Sequence, residues 1–332
     1  MTEPIPHLPI AMQHRQLTRR HLILGSSLLA GTGGLLNSTL GRSTHATTVA
    51  AKKSKDIPLT FSTYGLPKSG LNQAIDAIAD SGYDGLEICV APNSLTATRK
   101  LSPAQRREAC SRLKDRGLIL SSLMSHFQPL GSIEQHSGDL VRLKQDCILA
   151  RELAPDSPPV IQTVLGGKSW ADSRQKCLDR IADWVAIAEK HEVPIAVKPH
   201  RGHAMSRPSE AAWLIEKINN SKFLRMWYDY SHFIFRDMPM QQSLQQSLPI
   251  IAGVAVKDAI EKDGKIQFLL PGAAGTINYK RLCQLLNEAN FRGPVCVEVS
   301  SHVWKRPDYD ATSALQKSYR ILSAAMAAAK SS

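Results

Sequence analysis

Several things are scarce in this sequence, and each shortage removes a class of protein. Aromatic residues make up only 6% of the 332 positions, which argues against a β-rich binding module, since strands favour such residues. The six cysteines, Cys89, Cys110, Cys147, Cys177, Cys283 and Cys296, are widely spaced, with no CxxC pair. A zinc ribbon and a disulfide framework are therefore disfavoured, and buried reduced thiols are expected. The longest apolar run, Leu22 to Leu36, is too short to span a membrane comfortably. No Gly-rich phosphate turn follows the first expected strand, where Tyr64-Gly65-Leu66-Pro67 stands instead; this counts against a dinucleotide-binding open sheet. The net charge of +12 comes without any basic block interleaved with aromatics. No nucleic-acid partner is expected, and the charge reads as a generally basic surface compatible with anionic substrates or anionic cell-envelope polymers.

What is present begins with a leader. Thr18-Arg19-Arg20-His21 precedes the apolar, Gly-rich run, and a positive segment followed by a short apolar one has the physics of an export signal. The paired arginines resemble the twin-arginine signal, with Thr48-Val49-Ala50 or Thr44-His45-Ala46 as cleavage sites. Residues 1–50 are accordingly expected to be a signal peptide, 51–58 a linker and 59–328 a single barrel domain. The resemblance implies folding before export, a periplasmic destination and no stable membrane span after cleavage.

From Leu59 onward, short apolar runs alternate with helical periods. Strands are expected at Leu59–Tyr64, Gly85–Val90, Leu118–Met124, Pro159–Leu165, Val193–Val197, Leu224–Asp229, Ile251–Lys257 and Val295–Val299. Between them, apolar residues recur at helical spacing, as in Leu71, Ala74, Ile75 and Ile78, or Cys177, Ile181, Trp184, Val185 and Ala188. Ser102-Pro103 supplies a cap and a first-turn proline. Eight strands alternating with helices give the count of an α/β fold of the (β/α)8 TIM-barrel type.

Polar residues sit where the strands end: Glu87, His126, Lys198 with His200, Asp229 with His232, Lys257 with Asp258, and Glu298. Barrel strands deliver such residues to one mouth. A strand-end carboxylate alone is as often a structural acceptor as a catalyst; the whole set facing one way is harder to explain as accident. Arg201 and Arg207 suit a carboxylate or phosphate, although surface arginines are common. Trp170, Trp227 and Trp304 suit a sugar ring, with core packing the better reading of Trp227.

Five segments, Gly82-Tyr83-Asp84-Gly85-Leu86-Glu87, Tyr228-Asp229-Tyr230-Ser231-His232, Val256-Lys257-Asp258-Ala259, Pro271 to Ile277 and Gly293 to Glu298, resemble the sugar phosphate isomerase/epimerase group with a xylose-isomerase-like barrel. The resemblance implies a divalent metal held by Glu, Asp, His and Glu at the last four strands, acidifying a carbon next to a carbonyl. Carried over to this chain, Asp229 and Glu298 match two metal ligands, and His232 matches a substrate-binding histidine. The other two ligand positions hold Lys198 and Ala255. An ammonium has no acceptor, so Lys198 is expected as a cation between Asp229 and Glu298, and the cofactor is either none or a divalent metal. A metal relocated to His200, His203, Asp229 and Glu298 has suitable residue types.

The expected function is proton transfer next to a carbonyl of a carbohydrate or polyol. Lys198, Asp229 and Glu298 would be catalytic, and Glu87, His126, His200, His232 and Lys257 would contact substrate. The alternatives are a non-catalytic carbohydrate-binding barrel, or a lyase or dehydratase that includes a Schiff base on Lys198.

Overall fold

Short apolar runs become strands when helices cover one face and a closed barrel fills the other. The computed structural model describes residues 56–331; the expected leader and most of the expected linker lie outside them. The strands are β1 (Leu59–Ser62), β2 (Gly85–Cys89), β3 (Ile119–Met124), β4 (Val160–Thr163), β5 (Ile195–Val197), β6 (Leu224–Asp229), β7 (Ile251–Val256), β8 (Asp258–Lys262), β9 (Lys265–Leu269) and β10 (Val295–Val297). Eight of them close a parallel barrel in the order β1-β10-β7-β6-β5-β4-β3-β2. Most of these strands stop short of the expected range, because the chain leaves the ladder early to form the loops of the mouth. Tyr64, for example, belongs to a 3-10 turn, Thr63–Gly65.

The helices begin where capping chemistry places them. Ser102 accepts from the amide of Gln105 while Gln105 reaches back to the Ser102 amide, and Pro103 opens the helix Pro103–Asp115. Ser132 and Gln135 repeat the arrangement before Ile133–Leu153. The helix Pro208–Lys217 buries Pro208, Ala211, Leu214 and Ile215, whereas Trp213 stays half-buried and packs edge-on against Trp170 at 5.7 Å. Among the described residues no helix is long and apolar enough to cross a membrane, and all six cysteines are free thiols.

The hairpin β8–β9, like the helices Met240–Ser247 and Ser301–Trp304, has no counterpart among the expected elements. It pairs Asp258 with Leu269 through Lys262 with Lys265, and its tip is Asp263-Gly264, both at positive φ. That dipeptide is a strong hairpin signal, masked here by the charged run around it.

Side chains two apart on a strand share a face, and this sets the barrel interior in layers. Ala196, Trp227, Ala255 and Cys296 form one buried cluster. Two residues further along their strands stand Lys198, Asp229, Lys257 and Glu298. Three small residues thus make room for one indole, directly beneath the charged tier. Gly253 belongs to the same packing: a Cβ there would lie 2.3 Å from the Trp227 ring. Gly253→Ala is therefore expected to cost about 1–3 kcal/mol through overpacking, read as a shift in the urea midpoint.

Candidate active site

The charged tier is one connected chain of ion pairs. The Lys198 ammonium donates to Oε2 of Glu298. The Lys257 ammonium donates to Oε1 of Glu298 at 2.8 Å and also to Oδ2 of Asp229. Oδ1 of Asp229 accepts from the Ser231 amide at 3.1 Å and the Ser231 hydroxyl at 2.6 Å. All four side chains are buried. The cation lying between Asp229 and Glu298 is therefore Lys257 rather than Lys198. Its partners are 28 and 41 residues away in sequence, so strand-end spacing alone had no means of choosing between the two lysines.

Burial alone would raise the Glu298 carboxyl, but the Lys198 and Lys257 ammonium groups outweigh it and hold the carboxyl below the usual carboxylate range. Burial alone would likewise lower the Lys257 amine, and Asp229 and Glu298 reverse the sign. Glu87 stands apart. Its Oε2 accepts from Ser122 at 2.7 Å and from Gln162 at 3.0 Å, and burial, then the charge of Glu298, pushes its carboxyl up.

Above the tier opens a cavity of about 680 Å3. Lys198, Lys257, Glu298 and Gln162 form its floor, His126, His200, His203 and His232 part of its wall, and Phe268 and His302 another part. Glu87 and Asp229 do not line it; they support residues that do. Of the tryptophans singled out for stacking, Trp227 is fully buried, Trp170 sits on Trp213, and Trp304 packs edge-on against Tyr64 at 5.4 Å. Phe268, carried on the hairpin, is the aromatic wall instead, 5.3 Å from the Lys257 nitrogen and 5.0 Å from the His232 ring.

The imidazoles form a neutral stack. His200 lies 4.2 Å from His203 and 3.9 Å from His232, ring to ring. Burial, then neighbouring His203 and Lys198, pulls His200 down to about 3. Burial, then Lys257, holds His232 well below its usual value. Nδ1 of His200 donates to its neighbour's carbonyl, Arg201 O, at 2.7 Å, leaving Nε2 as an acceptor. Nε2 of His232 is 3.4 Å from Asp229, yet neither ring nitrogen of His232 has a hydrogen-bond partner among the described residues. With a neutral ring that contact is no ion pair.

These shifts carry a pH dependence. The unfolded chain binds protons at histidines that the folded chain keeps neutral, so stability should fall as pH drops below 6.5, and for His200 the loss continues down to about 3. Glu298 adds stability that is present above 4.5 and lost as pH falls through its lower folded value. Lys257 adds stability that is full below 10.5 and lost as pH rises through its higher folded value. Urea midpoints across pH, compared with those of His200→Gln, test this, because the raised Glu87 and Asp146 carboxyls act in the opposite sense over the same range. A change between about pH 7 and pH 5 that is the same in both proteins would contradict a neutral His200.

A divalent metal does not fit this donor set. Each oxygen of Asp229 and Glu298 is already engaged, two of the four by Lys257 and one by Lys198. Ala255, packed against Trp227, offers no donor atom. An ammonium 4 Å from a doubly charged ion would be repelled by about 8 kcal/mol at an effective dielectric of 20. Among the described residues no group of three or more His, Cys, Asp or Glu side chains is arranged to hold a metal, and this includes the set His200, His203, Asp229 and Glu298.

Comparison with known proteins gives the same architecture. The family model described as xylose isomerase-like TIM barrel matches residues 75–323. L-ribulose-5-phosphate 3-epimerase UlaE of Escherichia coli is 25% identical over 136 residues, 41% of this chain and 46% of that protein; the chain thus spans less than half of the curated relatives it matches. The IOLI protein with a bound zinc atom superposes with a TM-score of 0.68 at 18% identity, covering 82% of this chain and 98% of that one. The 3-keto-D-glucoside 4-epimerase YcjR of E. coli superposes at 0.65 with 16% identity, over 81% and 100% of the two chains. At such identities these two likenesses speak to the fold alone.

Proposed function

The chain belongs to the xylose isomerase-like TIM barrel family, and on that premise we propose that it binds a small carbohydrate or polyol in the mouth and moves a proton at a carbon next to a carbonyl. One observation carries the reading: a carboxylate, Glu298, is held between two ammonium groups on the floor of a polar cavity. Lys198 and Lys257 supply the positive charge that polarises a carbonyl and stabilises an enediolate oxygen. Glu298 is the acid/base group. When a substrate oxygen draws Lys198 away, Glu298 loses a counter-charge and gains basicity. Asp229 fixes Lys257, and Glu87 fixes the Gln162 amide. His232 and His200 offer ring nitrogens to substrate hydroxyls.

The reaction needs no metal at Asp229 and Glu298. Metal-stripped protein incubated with a panel of keto- and aldo-sugars in D2O should incorporate deuterium next to the carbonyl, seen by NMR. Exchange only after a divalent cation is restored would overturn the reading. The lowered basicity of Glu298 favours a second reading, a barrel that binds carbohydrate without turning it over. Saturable sugar binding with no exchange for any sugar would establish that one. The leader further supports export through the twin-arginine route to the periplasm, tested by fractionating cells that carry Arg19→Lys with Arg20→Lys.

A further inference from the structure

Beside the cavity lies a shallower basin of about 570 Å3 that shares His200, Phe268 and His302 with it. Its remaining wall carries three cations beside Gly202 and Ile266: Arg201 follows β5, Arg236 follows β6, and Lys265 opens β9. The two guanidinium groups converge on one acceptor. Nε of Arg201 and Nη1 of Arg236 both donate to the backbone oxygen of His232, at 3.4 and 3.3 Å. Burial, then the charge of Arg236, holds Arg201 below its ordinary value, and burial, then Arg207, does the same to Arg236.

Counter-charges are present nearby but unpaired. Arg201 feels Glu261 and Arg236 feels Glu210, yet none of the three basin cations forms an ion pair within 4.0 Å among the described residues. Glu210 instead accepts from the amides of Ser206 and Arg207. Nη1 of Arg201 and Nε of Arg236 have no protein acceptor among the described residues. Converging guanidinium donors without a carboxylate match the oxygens of an external oxyanion.

We infer that this basin receives an anionic substituent of the substrate, a carboxylate, sulfate or phosphate group, while the sugar itself occupies the cavity. The inference rests on the carbohydrate reading and narrows it to charged sugars. The two compartments adjoin at His200, Phe268 and His302, so a sugar over the Lys198–Glu298–Lys257 floor would direct its charged substituent past these rings towards the arginines.

Calorimetric titration with matched sets tests it: D-glucose, D-glucuronate and D-glucose 6-phosphate, then D-ribulose and D-ribulose 5-phosphate. The charged member of a set should bind roughly 10–100-fold more tightly than the neutral one, the worth of a charge-assisted hydrogen bond or two. Added salt should narrow the gap. Arg201→Met should narrow it as well, leaving the neutral sugar's affinity unchanged. Arg201 and Arg236 also anchor the backbone oxygens of Ile234 and Ser206, so Lys265→Glu, at an exposed position whose side chain makes no such bond, provides a variant that spares the fold. It too should weaken the charged sugar selectively. Neutral and charged sugars bound alike by the unaltered protein, or weakened alike by Lys265→Glu, would overturn the basin and spare the carbohydrate reading. If no sugar of either kind binds, both fall. The better-bound charged member identifies carboxylate or phosphate as the group recognised.

Discussion

Lys257→Met will lower the unfolding free energy by about 3–5 kcal/mol, the cost of removing one partner from a buried ion pair. Methionine keeps most of the lysine stem, so the change isolates the ammonium from the volume it fills. Without it, Oδ2 of Asp229 loses the donor that now satisfies it, in a side chain with 0% exposure. Glu298 is less affected because Lys198 still donates to its other oxygen. The double variant Lys257→Met with Asp229→Asn should therefore recover part of the loss, giving a non-additive cycle. Urea unfolding at neutral pH measures all three proteins. A single variant within about 1 kcal/mol of the parent would mean that the ammonium does not hold the tier together.

Glu298→Gln will cut turnover by about 10²–10⁴-fold on any sugar the protein converts, the usual worth of a positioned acid/base group. The amide keeps the shape, but its single oxygen can accept from only one of the two lysines, its NH2 faces the other ammonium, and it cannot take a proton. KM should move little compared with kcat, since the lost interaction belongs to the proton transfer rather than to the resting complex. Asp229→Asn offers the contrast. Asp229 is absent from the cavity wall, so its loss should act through the position of Lys257 and show up as lower stability together with a partial rate loss. Equal and complete loss in both variants would put the two carboxylates in one role.

The barrel was legible in the sequence because strands covered on both sides must be apolar along their length. Runs such as Ile251 to Val256 stand out against the helical periods around them. Leu224–Asp229 could even be bounded correctly, since a charged residue marks the point at which the strand reaches the mouth. The separate two-stranded hairpin at 258–269 was hidden by its charges; only Asp263-Gly264 betrayed it.

The site was legible as a set of residues and not as a wiring diagram. Asp229, Glu298, Lys198 and Lys257 are all visible at strand ends, but which ammonium serves which carboxylate depends on stagger between neighbouring strands, including the register shift in β6. Phe268 and His302 went unseen for another reason. They reach the cavity from the hairpin and from the short helix Ser301–Trp304, neither of which follows the strand-end rule. Glu87 shows the opposite failing: its position at the end of β2 suggested contact with substrate, yet its bonds to Ser122 and Gln162 turn it into a brace.

The indole of Trp227 acts as a plug under the ionic tier. It fills the space that small neighbours at 196, 255 and 296 concede, so a histidine introduced at 255 would collide with it. Anyone rebuilding an ion-holding centre here must shrink residue 227 in the same step as enlarging residue 255, and neither change is useful by itself. The barrel is thus kept from that arrangement by shape as well as by charge.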